Sequence, residues 1–317
     1  MPALPRPLRA LPLGVFVLAI NANAALTGLT LYRLVCHGLT DPIGLVLLTS
    51  LLCAAFVPLS LTEGPRTKAF VRWICRTAGE YFPCRVVVED EDGLKPNTAY
   101  VFGYEPHSAL PVGIPTVFAT HSPLLPKQLQ GNLHGMASSV CFAVPFVRQL
   151  WWWLGLRPVS RQLMEGLLAA GKAVVLNPGG IQECMGMQHG SETVFLRKRH
   201  GFVRLAIQQG APLVPVFAFG QSATYSWFRP KPDWLVRWIS RKVGAVPLAM
   251  WGVWGSPIPH QRPVTVVIGQ PIQVPHQAHP APELVQQYLD RFIHDMAALF
   301  ERHKAACGQA GCELRIL

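Results

Sequence analysis

Hydrophobic positions divide the chain into an N-terminal segment with two long apolar runs and a region where shorter runs alternate with helical patterns. Residues 11–35 contain one charged side chain, Arg33, and residues 43–61 contain none. Each run approaches the ~20 apolar residues that cross a bilayer core as a helix. Residues 36–42, between the runs, include Gly, Asp and Pro, which favour a turn. The pattern therefore predicts a hairpin of two transmembrane helices over residues 1–65.

Two alternatives to a transmembrane hairpin remain open. A signal peptide would use Arg6 and Arg9 as its basic start, but no clear small-x-small cleavage site precedes the second run. A pair of buried helices in a folded core would also explain both runs. Basic residues flank the hairpin on its outer sides, so the transmembrane interpretation places both termini in the cytosol.

From Arg85 onward, apolar runs alternate with helical patterns, which predicts an α/β domain spanning residues 66–317. The strand-like runs are almost continuously apolar, as in sheets that helices cover on both faces. They occupy Arg85–Glu89, Ala99–Tyr104, Ala173–Asn177, Leu213–Phe219 and Val264–Gly269. Apolar residues spaced three and four apart predict helices at Ser160–Ala170, at Phe202–Gln209 and in a long segment from Pro282 onward.

Composition narrows the class of protein. The chain has 317 residues, of which 50% are apolar and only 14% are charged, with a net charge of +11. Intrinsic disorder is excluded because it requires few hydrophobic residues and many charges. A basic, apolar chain suits a membrane surface with anionic lipid, or an anionic substrate. Nucleic acid is not expected as a partner, because the basic residues do not interleave with aromatic residues as in a stacking groove.

The sharpest chemical feature is the block Glu105-Pro106-His107-Ser108, which follows the strand predicted to end at Tyr104. Functional groups often lie where the strands of an α/β sheet end. In an extended chain the side chains of Glu105 and His107 point the same way. Glu105 could then fix the imidazole in one tautomer and leave the other ring nitrogen as a general base. A histidine that caps a turn after proline is the plainer alternative.

A second block, Asn-Pro-Gly-Gly-Ile-Gln-Glu at residues 177–183, follows another predicted strand. Gly179 and Gly180 permit close backbone approach, so their N–H groups could face an oxyanion or a phosphate. Glu183 is a second carboxylate that could orient His107, or a solvated side chain. An ordinary Pro-Gly-Gly turn also fits this block.

A third feature is a run of four cations, Arg197, Lys198, Arg199 and Arg204, at the start of a predicted helix. Helix N-termini and arginine side chains both favour phosphate groups. The run therefore predicts a phosphate-binding surface, with a solvated charge run or a lipid-headgroup contact as alternatives. Cys, His and acidic residues do not occur at metal-ligand spacing, so the sequence predicts no metal site.

Taken in order, these blocks resemble the type 2 diacylglycerol acyltransferase family over roughly residues 60–317. The matching residues are Tyr81-Phe82-Pro83, Glu105-Pro106-His107-Ser108, Asn177-Pro178-Gly179-Gly180 with Glu183, and Arg199-His200-Gly201-Phe202 with the later segment Leu213–Gln221. Much of the family carries His-Pro-His-Gly at the second block. The Glu-Pro-His-Ser form resembles plant and green-algal members.

The resemblance implies a fold, a reaction and a place in the cell. The fold is a glycerolipid-acyltransferase-like mixed sheet flanked by helices, with the N-terminal hairpin as its membrane anchor. The reaction is acyl transfer from acyl-CoA to the free hydroxyl of diacylglycerol, which forms triacylglycerol without a cofactor. The location is the endoplasmic reticulum membrane or a lipid droplet surface, with membrane lipid as a further partner and a homo-oligomer as an allowed assembly.

The resemblance also implies roles for the residues singled out above. His107 is the general base, with Glu105 or Glu183 as the carboxylate that orients it. Gly179 and Gly180 hold the oxyanion. Arg197, Lys198, Arg199 and Arg204 hold the phosphates of acyl-CoA. The wider superfamily pairs its histidine with an aspartate five residues later, where this chain has Val112, so the choice of carboxylate stays open.

Other functions remain open. Within the family, the acceptor could be monoacylglycerol, a long-chain alcohol or another hydroxyl lipid. A lysophospholipid acyltransferase is disfavoured because the aspartate of its motif is absent. A membrane or lipid-droplet scaffold without catalytic activity is a hypothesis from a different class, and it predicts that His107→Ala leaves function unchanged.

Overall fold

A computed structural model describes residues 10–243 and 246–317, with side chains described at all of these positions except 11–13, 16–18, 20, 181 and 243. Its helices are α1 (Leu11–Cys36), α2 (Pro42–Phe56), α3 (Pro65–Tyr81), α4 (Gly113–Thr116), α5 (Val147–Trp153), α6 (Arg161–Ala169), α7 (Gly180–Gly186), α8 (His200–Gln209), α9 (Asp233–Val243) and α10 (Pro282–His303). Its strands are β1 (Arg85–Val88), β2 (Val101–Glu105), β3 (Leu133–Ala137), β4 (Arg157–Pro158), β5 (Ala173–Leu176), β6 (Glu192–Val194), β7 (Leu213–Phe219), β8 (Ser226–Phe228), β9 (Ala249–Trp251), β10 (Thr265–Ile268) and β11 (Leu314–Ile316).

Seven strands form one mixed sheet in the order β1-β10-β7-β2-β5-β3-β4. The five strands from β7 to β4 are parallel, β10 is antiparallel to β7, and β1 is parallel to β10. The carboxyl ends of the parallel strands therefore meet at one edge of the sheet. All five predicted strands are confirmed as members of this sheet.

Helices cover both faces of the sheet, so its central strands alternate between two hydrophobic cores. In β7, Val214 and Val216 pack toward α3 and α4, whereas Leu213 and Phe217 pack toward α8 and α10. Every residue of β2 and β7 is buried. This two-sided burial explains why the strands carry continuous apolar runs instead of alternating polar and apolar residues.

The three predicted helices form, and α8 begins at His200, two residues before the predicted start at Phe202. The Ser160 hydroxyl accepts a hydrogen bond from the Leu163 N–H and begins α6, and α8 ends at Gly210 in the left-handed conformation. Helix α10 starts at Pro282 and buries its apolar stripe, including Phe292, against the sheet. Phe292 lies directly over Gly103 of β2, where a β-carbon would collide with the ring.

The predicted transmembrane hairpin is wrong: among the described residues, no helix is both long and apolar enough to cross a membrane. Helix α2 has 15 residues, or about 22 Å at the rise of an α-helix, against a bilayer core of ~30 Å. It ends at Phe56 because Val57 precedes a proline and adopts an extended conformation. Helix α1 is longer, but polar Asn21 and Asn23 interrupt its apolar run.

The two N-terminal helices nevertheless pack against each other, and α1 also packs on α3 and α5. The Arg33 guanidinium makes a bidentate ion pair with Asp41, and Asp41 also accepts the Gly44 N–H that begins α2. The cytosolic placement of both termini was derived from the transmembrane hairpin, and its flanking Arg6 and Arg9 lie outside the described residues.

Candidate active site

Two loops at the carboxyl edge of the sheet bring the predicted site residues together. Strand β2 ends at Glu105 and leads directly to His107, while the neighbouring strand β5 leads through residues 177–179 into α7. The side-chain amide of Asn177 donates a hydrogen bond to the Tyr104 carbonyl at 2.6 Å and so ties the second loop to β2. Helix α7 then carries Glu183 to the base of the His107 loop.

The His107 ring is held at one nitrogen. Its Nδ1 lies 3.0 Å from the Ser108 carbonyl oxygen and 3.2 Å from the Cys184 Sγ. A carbonyl oxygen can only accept, so Nδ1 of the neutral ring carries the proton. The Nε2 lone pair makes no hydrogen bond with the described residues and is therefore free to take a proton from a substrate.

The two predicted carboxylates bind backbone groups of the site loops. Glu183 is fully buried, and its Oε1 accepts the backbone N–H of His107 while its Oε2 accepts the Phe195 N–H at 3.4 Å. Glu105 is also fully buried, and its Oε1 accepts the Gly179 N–H at 3.3 Å. The structure thus places Glu183 on the backbone of His107, with the Ser108 carbonyl at the ring.

Glu105 and Glu183 form a buried carboxyl pair in which the two pKa values influence each other. Burial raises the pKa of Glu105 well above its usual range, and the negative charge of Glu183 raises it further. Burial also raises the pKa of Glu183, but hydrogen bonds from Glu105, His107 and Phe195 oppose that rise. A proton held by this pair therefore favours Glu105, from which an O–H can reach Glu183, and Glu105 Oε2 has no other hydrogen-bond donor among the described residues.

Arg199 completes this buried cluster. Its Nη2 donates to the Gly179 carbonyl at 2.6 Å, and its charge acts favourably on both carboxyl groups. Burial lowers the pKa of the guanidinium, as expected for a half-buried cation. The sequence predicts a phosphate contact for Arg199, and in the structure its Nη2 is directed to the backbone of residues 177–180, the glycine loop.

The remaining predicted cations point outward. Arg197, Lys198 and Arg204 are exposed, and Arg197 Nε donates to the Ile316 carbonyl at 3.1 Å. Arg204 borders an open cleft of about 750 Å³, which Glu283 and Asp290 also line. These acidic side chains make the cleft itself a poor phosphate site, so the exposed cations at the start of α8 are the better candidates.

The glycine loop is only partly available as an oxyanion site. The Gly179 N–H is engaged by Glu105, and a β-carbon at Gly179 would collide with Glu183. Gly180 has a φ of 53°, which suits glycine, and it is the first residue of α7. The first N–H groups of a helix have no partner within the helix, so Gly180 retains a donor for a developing oxyanion.

Several residues at the site were missed by the sequence analysis. Gln221 follows β7 at the same sheet edge, accepts the Gly113 N–H at 3.0 Å and donates to the Pro106 carbonyl at 2.6 Å. Its place directly after a predicted strand was a usable signal. No sequence pattern pointed to Cys184, because its sulfur comes next to His107 only once α7 has formed.

Cys184 is a poor nucleophile despite its contact with the histidine. Burial raises the pKa of its thiol most strongly, and the negative charges of Glu183 and Glu105 raise it further. The His107 nitrogen that it touches is the one that donates to the Ser108 carbonyl, so it cannot also accept the thiol proton. No three metal-ligating side chains converge anywhere in the described part of the chain.

Comparison with known proteins identifies the class of enzyme. The diacylglycerol acyltransferase family model matches residues 39–316. The chain is 32% identical to diacylglycerol O-acyltransferase 2 of Xenopus tropicalis over 80% of this chain and 74% of that protein. It is 34% identical to 2-acylglycerol O-acyltransferase 3 of Homo sapiens over 78% of this chain and 76% of that protein.

Among solved structures, a 1-acyl-sn-glycerophosphate acyltransferase, PlsC, from Thermotoga maritima superposes with a TM-score of 0.43 and 16% identity, over 86% of this chain and 94% of that one. On the strength of the sequence matches, the protein is an acyltransferase. More narrowly, the chain belongs to the diacylglycerol acyltransferase family, which confirms the resemblance found in its sequence.

Proposed function

We propose that the protein transfers an acyl group from acyl-CoA to the free hydroxyl of diacylglycerol, with His107 as the general base. The observation that carries the proposal is the free Nε2 of His107, whose opposite nitrogen is fixed by the Ser108 carbonyl. The hydroxyl oxygen attacks the thioester carbonyl while its proton moves to Nε2. The carbon–sulfur bond then breaks and the proton passes to the thiolate, which gives triacylglycerol and CoA.

Direct transfer is favoured over an acyl-enzyme intermediate. The Cys184 thiol is buried and has a raised pKa, and the Ser108 hydroxyl is engaged by the Ser222 hydroxyl at 2.7 Å. Neither side chain therefore has the free base that an activated nucleophile requires. We expect no ping-pong kinetics and no burst of CoA release before the acceptor is added.

A second acceptor is favoured by one observation. A human 2-acylglycerol O-acyltransferase is as similar to this chain as the amphibian diacylglycerol enzyme is. The deciding experiment supplies membranes from a neutral-lipid-deficient host with labelled oleoyl-CoA and, separately, diacylglycerol, 2-monoacylglycerol and a long-chain alcohol. Triacylglycerol from diacylglycerol as the main product supports the proposal. Product from another acceptor alone overturns the choice of diacylglycerol.

Arg197, Lys198 and Arg204 are proposed to contact the phosphates of acyl-CoA, because Arg197 and Lys198 are exposed just before α8, Arg204 is exposed in its second turn, and all three are close in sequence to Arg199. Exposed ion pairs contribute ~0.2–1 kcal/mol each, so replacing all three with alanine should raise KM for acyl-CoA by about tenfold with little change in kcat. The effect should fade at high salt. Arg161→Ala is the control, because Arg161 is also an exposed arginine and forms an ion pair with Glu165. An unchanged KM rejects this surface.

The site of action is proposed to be a lipid surface of the endoplasmic reticulum or of a lipid droplet. Helix α9 supports this placement, because it exposes Trp234 and Trp238 one turn apart while burying Val236 and Ser240. Three cations, Arg237, Arg241 and Lys242, are also exposed on it. A basic helix with exposed tryptophans is typical of segments that lie in the interface of an anionic membrane.

Replacing Trp234 and Trp238 together with alanine should lower binding to phosphatidylserine-containing vesicles by tenfold or more, since burying one large apolar side chain contributes ~1.5–3 kcal/mol. Flotation of the purified protein with vesicles measures this binding. Val159→Ala removes an exposed apolar side chain just after β4 instead and should bind like the wild type. Equal flotation of all three proteins would reject α9 as the contact.

A further inference from the structure

Ser108 adopts a backbone conformation that few residues other than glycine favour. Its φ is 57°, in the left-handed region, where a side chain costs conformational energy. This conformation aims the Ser108 carbonyl back at the ring of the preceding residue, where it lies 3.0 Å from His107 Nδ1. The orientation of the base therefore depends on keeping Ser108 in an unfavourable conformation.

A chain of hydrogen bonds holds the Ser108 side chain. Its hydroxyl lies 2.7 Å from the Ser222 hydroxyl, and Ser222 donates to Glu192 Oε2 at 2.7 Å. Since Ser222 has one proton and gives it to the carboxylate, Ser108 must be the donor to Ser222. Glu192 is 4% exposed and also accepts from the Gln309 amide at 3.3 Å.

Ser222 and Glu192, which end this series of hydrogen bonds, lie outside the two loops that carry His107 and Gly179. Ser222 is in the turn after β7, and Glu192 is the first residue of β6, which pairs with the C-terminal strand β11. The buried Glu192 carboxylate accepts two hydrogen bonds that are costly to break, so its position is well fixed.

We propose that Ser222 and Glu192 are positioning residues that clamp Ser108 in the left-handed conformation, so that its carbonyl holds His107 with Nε2 toward the substrates. The inference deepens the proposed function and rests on it, since it states how the proposed base is held. Without the clamp, Ser108 relaxes, Nδ1 loses its acceptor, and the ring samples other orientations. A glycine in place of Ser108 would need no clamp, because glycine adopts this φ freely.

A double-mutant cycle tests the clamp. Ser222→Ala in the wild-type background should lower kcat by about tenfold or more, as small misplacements of catalytic groups do, with both KM values unchanged. Ser222→Thr keeps the hydroxyl and should restore kcat. In the Ser108→Gly background, Ser222→Ala should cause no further loss. Ser122→Ala removes a buried hydroxyl bonded at the same 2.7 Å to Thr116, away from this chain, and controls for general loosening.

Thermal unfolding of the four proteins of the cycle provides a readout that needs no activity. Ser222→Ala should lower Tm more when Ser108 is present than in the Ser108→Gly background, where only the hydrogen bond from Ser222 to Glu192 is lost. Equal effects in both backgrounds, on kcat or on Tm, would overturn the clamp. If the wild type makes no product with any acceptor, the proposed function fails, while the unfolding cycle still decides whether Ser222 holds Ser108.

Discussion

The His107→Ala protein is expected to lose acyl transfer almost completely while folding normally. General base catalysis contributes about 10²–10⁴-fold, and Nε2 of His107 is the free proton acceptor where the glycine loop meets the end of β2. The side chain is only partly buried, so its removal leaves a small void at the surface instead of a cavity in the core. The measurement is triacylglycerol formation from labelled oleoyl-CoA and diacylglycerol, in membranes matched for expression.

His134→Ala is the matched control. Its Nδ1 also lies 3.0 Å from a backbone carbonyl, that of Gly155, but it belongs to β3 and not to the site loops. This variant should keep most of the activity. Equal activity of His107→Ala and the wild type would remove His107 as the base. Retention of function in cells together with a lack of transfer in every variant, including the wild type, would favour the scaffold hypothesis.

The parallel core of the sheet could be predicted from sequence because its strands are buried on both faces. The seven residues of β7 are continuously apolar, and Gly210 before them and Gly220 after them leave too short a run for a typical helix. The last two strands on the β4 side of the sheet gave no such signal. Strand β3 contains His134 and Gly135, and β4 is two residues long and includes a proline.

The transmembrane hairpin is wrong as a prediction because the length of an apolar run overestimates the length of the helix that forms within it. The run at residues 43–61 is long enough to span a bilayer, but Pro58 divides it, so the helix stops at Phe56. Tertiary packing then places α1 against α2, α3 and α5. Proline within an apolar run was the signal that should have shortened the second helix.

The site residues could be found from sequence, but their contacts could not. Each block follows a strand, so their meeting at one sheet edge follows from parallel topology. The partners depend on which atoms a loop turns inward. Arg199 donates to the Gly179 carbonyl, and Glu183 accepts the backbone N–H of His107 without a hydrogen bond to its ring. Hydrogen bonds of this kind join residues 20 or more positions apart, so they produce no periodic pattern in the sequence.

The buried carboxyl pair explains why two acidic side chains are tolerated beneath the base. Neutral Glu105 donates to ionised Glu183, and the Arg199 guanidinium lies close enough to compensate the single charge. Each oxygen of Glu183 then receives a donor, one from His107 and one from Phe195. Glu183 is therefore the member of the pair that must be an acceptor, and Glu105 is the member that must be a donor.

This asymmetry predicts that amide substitutions at the two positions have opposite consequences. In Glu105→Gln, the new N–H₂ group donates to Glu183 as the carboxyl proton did, so Tm should be maintained. In Glu183→Gln, the N–H₂ group faces N–H donors and leaves one of them unsatisfied, at a cost of ~1–3 kcal/mol. When the unsatisfied donor is the backbone N–H of His107, the loop that carries the base shifts and kcat should fall by about 10–100-fold. Thermal unfolding and transfer assays on both variants measure the contrast.

The pH dependence of stability tests the protonation states directly. The pKa of Glu105 is raised above its ordinary value of 4.5 in the folded protein, so its favourable contribution is full below about pH 4.5 and is lost as pH rises through the folded-state pKa. Glutamine has no proton to lose, so the Tm of Glu105→Gln relative to the wild type should increase as pH rises from about 4.5 and should level off above the folded-state pKa. A difference in Tm that stays constant, or that shrinks toward high pH, would mean that Glu105 is ionised in the folded protein and that the proton lies elsewhere in the cluster.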